Sequence, residues 1–452
     1  MSANFLDRQS TIAPPGYNRF LVPPAALAVH LSIGQAYAFS TYNLPLTKLI
    51  GLSKSAPGDW TLAQVGWIFS IGILFLGMSA AVFGRWVENA GPRKAMFAAA
   101  LCFGGGFLVS ALGVAQHQIW LLYLGYGALG GCGLGIGYIS PVSTLIKWFP
   151  DRPGMATGMA IMGFGGGALI AAPLSLLLME HFKTATSNGV LETFVTMGVI
   201  YFMFMLIGVY SVRVPAVHWK PAGWIAPTKP RSLVTEAHVA VDVAWRTPQF
   251  WLLWGVLCMN VTAGIGVLGQ ASPMIQEIFS GRVTPAAAAG FVGLLSLFNM
   301  GGRFVWASIS DYIGRRYTYF VFFALGIVLY STVPTLGHLG SITLFVAAFA
   351  VILSMYGGGF ATIPAYLRDI FGTMHVGAIH GRLLTAWSVA GVLGPVLVNY
   401  IREYQIAHGV AKANAYSVTM YLMASLLVVG FIANALVTPV DPKHHWKEAK
   451  HG

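Results

Sequence analysis

One cation in this 452-residue chain sits where a cation is costly. Arg303 lies inside the apolar run FVGLLSLFNMGGRFVWASIS, eight residues before Asp311 at the end of that run. At ~1.5 Å per helical residue it is about 12 Å deep, too far in for easy snorkelling. A charge at that depth costs about 2.5–3.5 kcal/mol on insertion scales, so it marks either a function or a special structural need. In the functional reading, Arg303 faces a water-filled cavity and binds an anion, its planar fork matching a carboxylate. In the structural reading, it bonds to carbonyls of neighbouring helices. No Asp or Glu occupies the middle of any apolar run, which favours the first. Asn299 precedes it by four residues and shares its helix face, giving N-x-x-x-R.

Other candidates are thinner. GQAYAFSTY (34–42) offers Gln35 and Tyr37 as hydrogen-bond donors to an anion, or as packing groups. His30 and His380 titrate near neutrality and read either as proton carriers or as helix–helix hydrogen bonders. Cys102, Cys132 and Cys258 stand alone, without the spacing of a metal or redox site. GFGGG (163–167) has no preceding strand and no following Lys-Ser/Thr, so it is no phosphate loop. Such glycines instead let helices approach and slide. Without clustered His, Asp or Glu, the chain does not read as an enzyme, and no cofactor is implied.

These residues need elements to hold them. The chain is 56% hydrophobic and 9% charged, whereas soluble domains carry about 25% charged residues. Its solvent is therefore lipid. Twelve apolar runs are long enough to span a bilayer: 20–42, 63–84, 95–115, 119–146, 155–179, 193–212, 249–271, 287–309, 317–336, 341–366, 379–401 and 416–438. The opening MSANFLDRQSTIAPPGYNRF contains no apolar core of a signal peptide. With both termini inside, eighteen Lys and Arg fall on inner segments, Lys229, Arg231, Lys447 and Lys450 among them, against six in outer loops. That bias predicts cytoplasmic termini. It also explains the net charge of +12 without nucleic acid. The polar, Pro-containing stretch 213–248 reads as a cytoplasmic linker between halves 1–212 and 249–438, with a tail at 439–452.

The halves share a short signal. GRWVENAGPRK (84–94) follows the second run and ASISDYIGRR (307–316) follows the eighth. Each sets a carboxylate, Glu88 or Asp311, three residues before a glycine and then basic residues. Two such loops, 223 residues apart in a twelve-span chain, resemble the signature loops of the major facilitator superfamily, although Ala307 stands where that family usually has glycine. The resemblance implies an all-α membrane protein of twelve helices in two pseudo-symmetric six-helix bundles that rock about a central site. It also implies an inner gate in which Glu88 and Asp311 meet backbone N–H groups and Arg93 or Arg315, formed when the carrier faces outwards.

Within that family, FNMGGRFVWASISDYIGRR resembles bacterial monocarboxylate and oxalate/formate transporters. So do KWFPDRPGMATGMAIMGFGGGA (147–168), NVTAGIGVLGQASPMIQEIF (260–279) and YGGGFATIPAYLRDIFG (356–372). The resemblance places Tyr138 and Tyr356 at cavity-lining positions, where each serves equally as a packing aromatic. One departure bears on the substrate. Where the oxalate antiporter has lysine in TAKGVAG, this chain reads TAWSVAG, with Trp387. Loss of that cation favours a monoanion such as formate, lactate or pyruvate over oxalate. Arg382 either replaces the missing charge or anchors the inner mouth. The expected protein is a monomeric secondary carrier in a bacterial inner membrane, moving a small carboxylate with protons or against a second anion. A channel or nutrient sensor on the same scaffold is the alternative. A sensor usually adds a long tail or central domain, and here both corresponding stretches are short.

Overall fold

A computed structural model describes residues 4–217, 219–224 and 233–446. Lys229, Arg231, Lys447 and Lys450 lie outside the described residues. Within them, the chain is almost wholly helical, with two isolated β-bridges, Ile12 with Val214 and Val239 with His445. Among the described residues, twelve helices are long and apolar enough to cross a membrane. They are α1 (Arg19–Leu46), α2 (Gln64–Ala90), α3 (Pro92–Ala115), α4 (Ile119–Trp148), α5 (Pro153–Phe182), α6 (Val190–Ser211), α7 (Pro248–Ile278), α8 (Ala287–Ile313), α9 (Arg315–His338), α10 (Ile342–Phe371), α11 (Val376–Ala407) and α12 (Lys412–Ala435). All twelve overlap the predicted runs. Most extend further, because composition marks the lipid-facing stretch while the hydrogen-bond ladder continues into the interface.

The helix ends follow local chemistry. Thr61 and Gln64 form a reciprocal capping box before α2, and Thr247 and Thr284 accept backbone N–H groups before α7 and α8. Such caps satisfy donors that a helix start otherwise leaves open. Gly91 and Gly314 divide α2 from α3 and α8 from α9 with φ of 87° and 93°. That is backbone a β-carbon disfavours, which is why both loops need glycine there. Large apolar side chains, among them Val82, Leu177, Ile207, Val328 and Val429, stand exposed along the spans, as a lipid solvent requires.

Three spans are irregular in their interior, and α12 opens on a 3₁₀ turn, Lys412–Asn414. In α1, residues Gly34–Tyr42 wind as 3₁₀ helix. In α4, Tyr123–Gly130 wind as π-helix. In α11, the helix runs Val376–Leu383 and resumes as Thr385–Ala407, with a turn at Leu384. Departures of this kind cluster at functional positions.

Contacts divide the chain into two compact units. The first holds Met1–Asp151, Met159–Trp224 and His380–Ser388; the second holds Arg152–Gly158, Ile225–Ile379 and Val389–Gly452. In the first, α2 packs on α4, and α6 packs on α3 and α1. In the second, α8 packs on α10, and α12 packs on α9 and α7. The same three pairings thus recur six helices later. The residues about the turn in α11 count with the first unit, and the first turns of α5 with the second.

Candidate functional site

In the second unit, glycine sets the position of Arg303. A β-carbon on Gly302 would lie 2.1 Å from the Ser354 carbonyl oxygen, and one on Gly357 would lie 2.2 Å from that of Asn299. The backbones of α8 and α10 therefore touch, and the residues beside this contact are shut from solvent. Arg303 is 0% exposed and Asn299 2%. The Nε of Arg303 donates to Oδ1 of Asn299 at 3.2 Å. Its guanidinium lies 5.2 Å from the ring centre of Phe360 on α10, and that ring meets Tyr356 edge-on at 5.3 Å. The side-chain amide and the ring quadrupole offset part of the desolvation of the cation. Sequence reading found Arg303, Asn299 and Tyr356 and missed Phe360, which looks like any apolar residue of a buried span.

In the first unit, the candidates gather around an aromatic cluster. Trp387, just past the turn in α11, lies 5.4 Å from Tyr138 of α4, 5.3 Å from Phe164 of α5 and 6.4 Å from Tyr37 of α1, ring centre to ring centre. Tyr138 also meets His30 at 5.3 Å and His380 at 5.9 Å. Tyr138, Phe164, Trp387, His30 and His380 are buried, while Tyr37 is half-buried. The turn in α11 is fixed on α2. Ser388 donates to the carbonyls of Ile73 and Leu74, each at 3.1 Å, and a β-carbon on Gly381 would lie 2.1 Å from the Ala80 carbonyl oxygen. Arg382 is half-buried on the same segment, and its carbonyl accepts the Thr385 hydroxyl at 2.8 Å.

Gln35 lies elsewhere in this unit. It is buried, and its Oε1 accepts the hydroxyl of Tyr126 at 3.0 Å. The 3₁₀ stretch of α1 and the π stretch of α4 therefore meet through one amide–phenol pair. Tyr126 escaped the sequence reading, since nothing in YGALGGCGLGIGY separates it from a packing tyrosine.

The signature loops hold two further clusters. In the second unit, Asp311 accepts the N–H groups of Gly154 and Met155, each at 2.8 Å, and pairs with Arg315 at 2.6 Å. A carboxylate at a helix start meets both open donors and the positive end of the helix dipole. Arg315 also bonds Asp369 of α10 at 3.2 Å. In the first unit, Glu88 pairs with Lys147 of α4 at 2.7 Å. Arg93 donates to the carbonyls of Phe5, Ser10, Val209 and Val212. Sequence reading set Glu88 beside Arg93 and overlooked Lys147 and Asp369. Both stand at span ends inside the quoted stretches KWFPDRPG and AYLRDIFG, where a charge is ordinary. Pairing there depends on which helices are neighbours, which spacing along one chain does not encode.

Residues 16–395 match the family model described as Major Facilitator Superfamily. Over 434 residues the chain is 28% identical to the oxalate:formate antiporter of Oxalobacter formigenes, an alignment covering 95% of this chain and 92% of that protein. Over 442 residues it is 22% identical to apicoplast pyruvate carrier 1 of Toxoplasma gondii, covering 86% of this chain and 78% of that protein. Among solved structures it resembles FucP of E. coli in the outward conformation, with a TM-score of 0.66 at 13% identity, over 94% of this chain and all of that one. At that identity the likeness concerns the fold alone.

Proposed function

The chain belongs to the Major Facilitator Superfamily, and from that premise we propose that it is a secondary active carrier of small carboxylates, working by alternating access. The observation that carries this reading is Arg303, a wholly buried guanidinium in a membrane-spanning helix, with Asn299 and Phe360 against it. A cation so placed is expensive to maintain, and an anionic cargo gives it a use. The names of two relatives, an oxalate:formate antiporter and a pyruvate carrier, point to the same chemical class.

In this reading Arg303 is the main anion anchor and Asn299 holds its orientation, while Tyr356 lines the same region of the second unit. Tyr37, Tyr138, Trp387, Gln35 and Arg382 form the first unit's contribution. Trp387, standing where the resembling antiporter has lysine, selects a monoanion such as formate, lactate or pyruvate over oxalate. Glu88, Arg93, Asp311 and Arg315 act at the inner ends of the helices, in contacts that hold one state and release in the other. The bundles 1–212 and 249–438, joined by the linker 213–248 and followed by the tail 439–452, sit in a bacterial inner membrane with both termini cytoplasmic. A carrier of this kind functions as a monomer.

Ligand-dependent unfolding of the detergent-purified protein tests the reading. Formate, lactate or pyruvate should raise the unfolding temperature, and the rise should grow with the logarithm of concentration above Kd, with fucose and glycerol as controls. Stabilisation by the neutral controls and by no carboxylate would overturn the assignment.

A further inference from the structure

Within the second unit, the short segment Asp441–Trp446 folds back on the stretch that enters the same unit before α7. His445 pairs antiparallel with Val239, and the Trp446 N–H donates to the His238 carbonyl at 2.6 Å. The Trp446 ring meets His375, in the loop between α10 and α11, edge-on at 6.3 Å. The stretch it grips is itself bound to the end of α10. Thr235 donates its N–H to the Asp369 carbonyl at 2.8 Å, and Val239 donates to that of Phe371 at 3.0 Å. The approach is backbone to backbone, since a β-carbon on Gly372 would lie 2.3 Å from the Ala237 carbonyl oxygen. Val239 and Phe371 are wholly buried.

Asp369 joins this layer to the signature loop. Its backbone carbonyl takes Thr235, while its carboxylate takes the Nε of Arg315 at 3.2 Å and Arg368 at 3.1 Å. Arg315 in turn binds Asp311 at 2.6 Å. A series of contacts inside one unit therefore runs from the tail to the gating carboxylate. Its weakest link is the first. Trp446 is 52% exposed, and the grip of its segment rests on one β-bridge and one ring edge. Segments with few buried contacts and exposed backbone hydrogen bonds open at far lower free energy than the core. Asp369 and Arg315, by contrast, are buried. The tail therefore opens before the charge cluster loosens.

We propose that Asp441–Trp446 is a detachable strap. It holds the stretch 233–240 on the end of α10 and, through Asp369 and Arg315, favours the state in which Asp311 is bound. This rests on the alternating-access reading above. A contact made in only one state biases the equilibrium by its differential stabilisation. Release of the strap therefore acts in the same direction as loss of the Asp311 charge. The two effects overlap, because groups in one bonded network are not additive.

The test compares the full-length protein with a chain ending at Val440 and with Trp446→Ala, which keeps the rest of the tail should the shorter chain fold poorly. Hydrogen exchange reads the strap directly. The amides of Thr235 and Val239 should exchange at least about fivefold faster in both variants. Cysteine accessibility on the two faces reads the consequence, and both variants should shift labelling towards the inward-facing pattern. In an Asp311→Asn background the same changes should add less than about half of that shift. Exchange unchanged by both variants overturns the strap. Faster exchange with unchanged labelling, or with a shift of equal size in both backgrounds, overturns its link to the gate. These results leave the carboxylate reading standing, since unfolding of the wild-type protein with cargo tests that separately. Faster exchange and an overlapping shift in a protein that no carboxylate stabilises would overturn the cargo reading and leave the strap intact.

Discussion

Arg303 and Asn299 stand one helical turn apart on α8, and the Nε of the arginine donates to the amide oxygen of the asparagine at 3.2 Å. That bond uses the inner edge of the guanidinium and fixes the plane of its outer fork. Arg303→Lys keeps the charge but loses both the bond and the fork. Losing one charge-assisted hydrogen bond amounts to about 1.5–3 kcal/mol, so transport efficiency should fall roughly 10- to 100-fold. Initial uptake rates on a variant of unchanged unfolding temperature check this.

The second prediction concerns cargo size and charge. Trp387 packs against Tyr138 and Phe164, so the first unit places an indole where the resembling antiporter has an ammonium. Formate, lactate and pyruvate should each compete better than oxalate against labelled lactate. Stronger competition by oxalate would mean that Arg382 supplies the second charge.

A third prediction follows from Asp311. Its two oxygens take the N–H groups of Gly154 and Met155, and it also binds Arg315. Asn in its place keeps one acceptor and loses the charge. Asp311→Asn should shift the population towards the inward-facing form and slow turnover, with carboxylate affinity in binding assays preserved. Cysteine accessibility on the two faces reports the shift. An unchanged labelling pattern would reduce the signature loops to topological anchors.

The loop between α1 and α2 carries a pH dependence of its own. Burial alone would raise the carboxyl of Asp59, but the N–H groups of Ala56, Ile50 and Gly51 and the nearby His117 outweigh it and hold the group below its ordinary 3.8. A depressed folded-state value stabilises the fold above the ordinary pKa and is lost as pH falls through the lower value. Below about pH 4, wild type should lose more unfolding temperature than Asp59→Asn, in which this contribution no longer titrates. Equal losses would show that the loop does not couple to stability.

Much of the fold was legible in the sequence, because lipid imposes a strong and local rule. Twelve apolar runs became twelve spanning helices, and the two loop glycines sit at the positive φ that their turns need. The site was legible only where chemistry clashed with surroundings. Arg303 was visible as a cation in an apolar run. Phe164, Tyr126 and Phe360 were not, because an aromatic residue in a span looks the same whether it packs on lipid, on a neighbour or on a functional group. Trp387 shows the remaining gap. Its place in the sequence assigns it to the second half, yet the turn at Leu384 and the Ser388 hydrogen bonds pack it with the first unit. The same limit applies to Asp369 and Lys147, whose pairings arise between helices far apart in the chain.

Counterflow in proteoliposomes tests the central claim most directly. Vesicles holding the purified wild-type protein are loaded with unlabelled formate, lactate or pyruvate and diluted into the labelled compound at equal pH inside and out. A small-carboxylate carrier should transiently concentrate label above the level in protein-free vesicles, and Arg303→Lys should abolish most of the overshoot. Overshoot with a neutral sugar and none with any carboxylate would contradict the account.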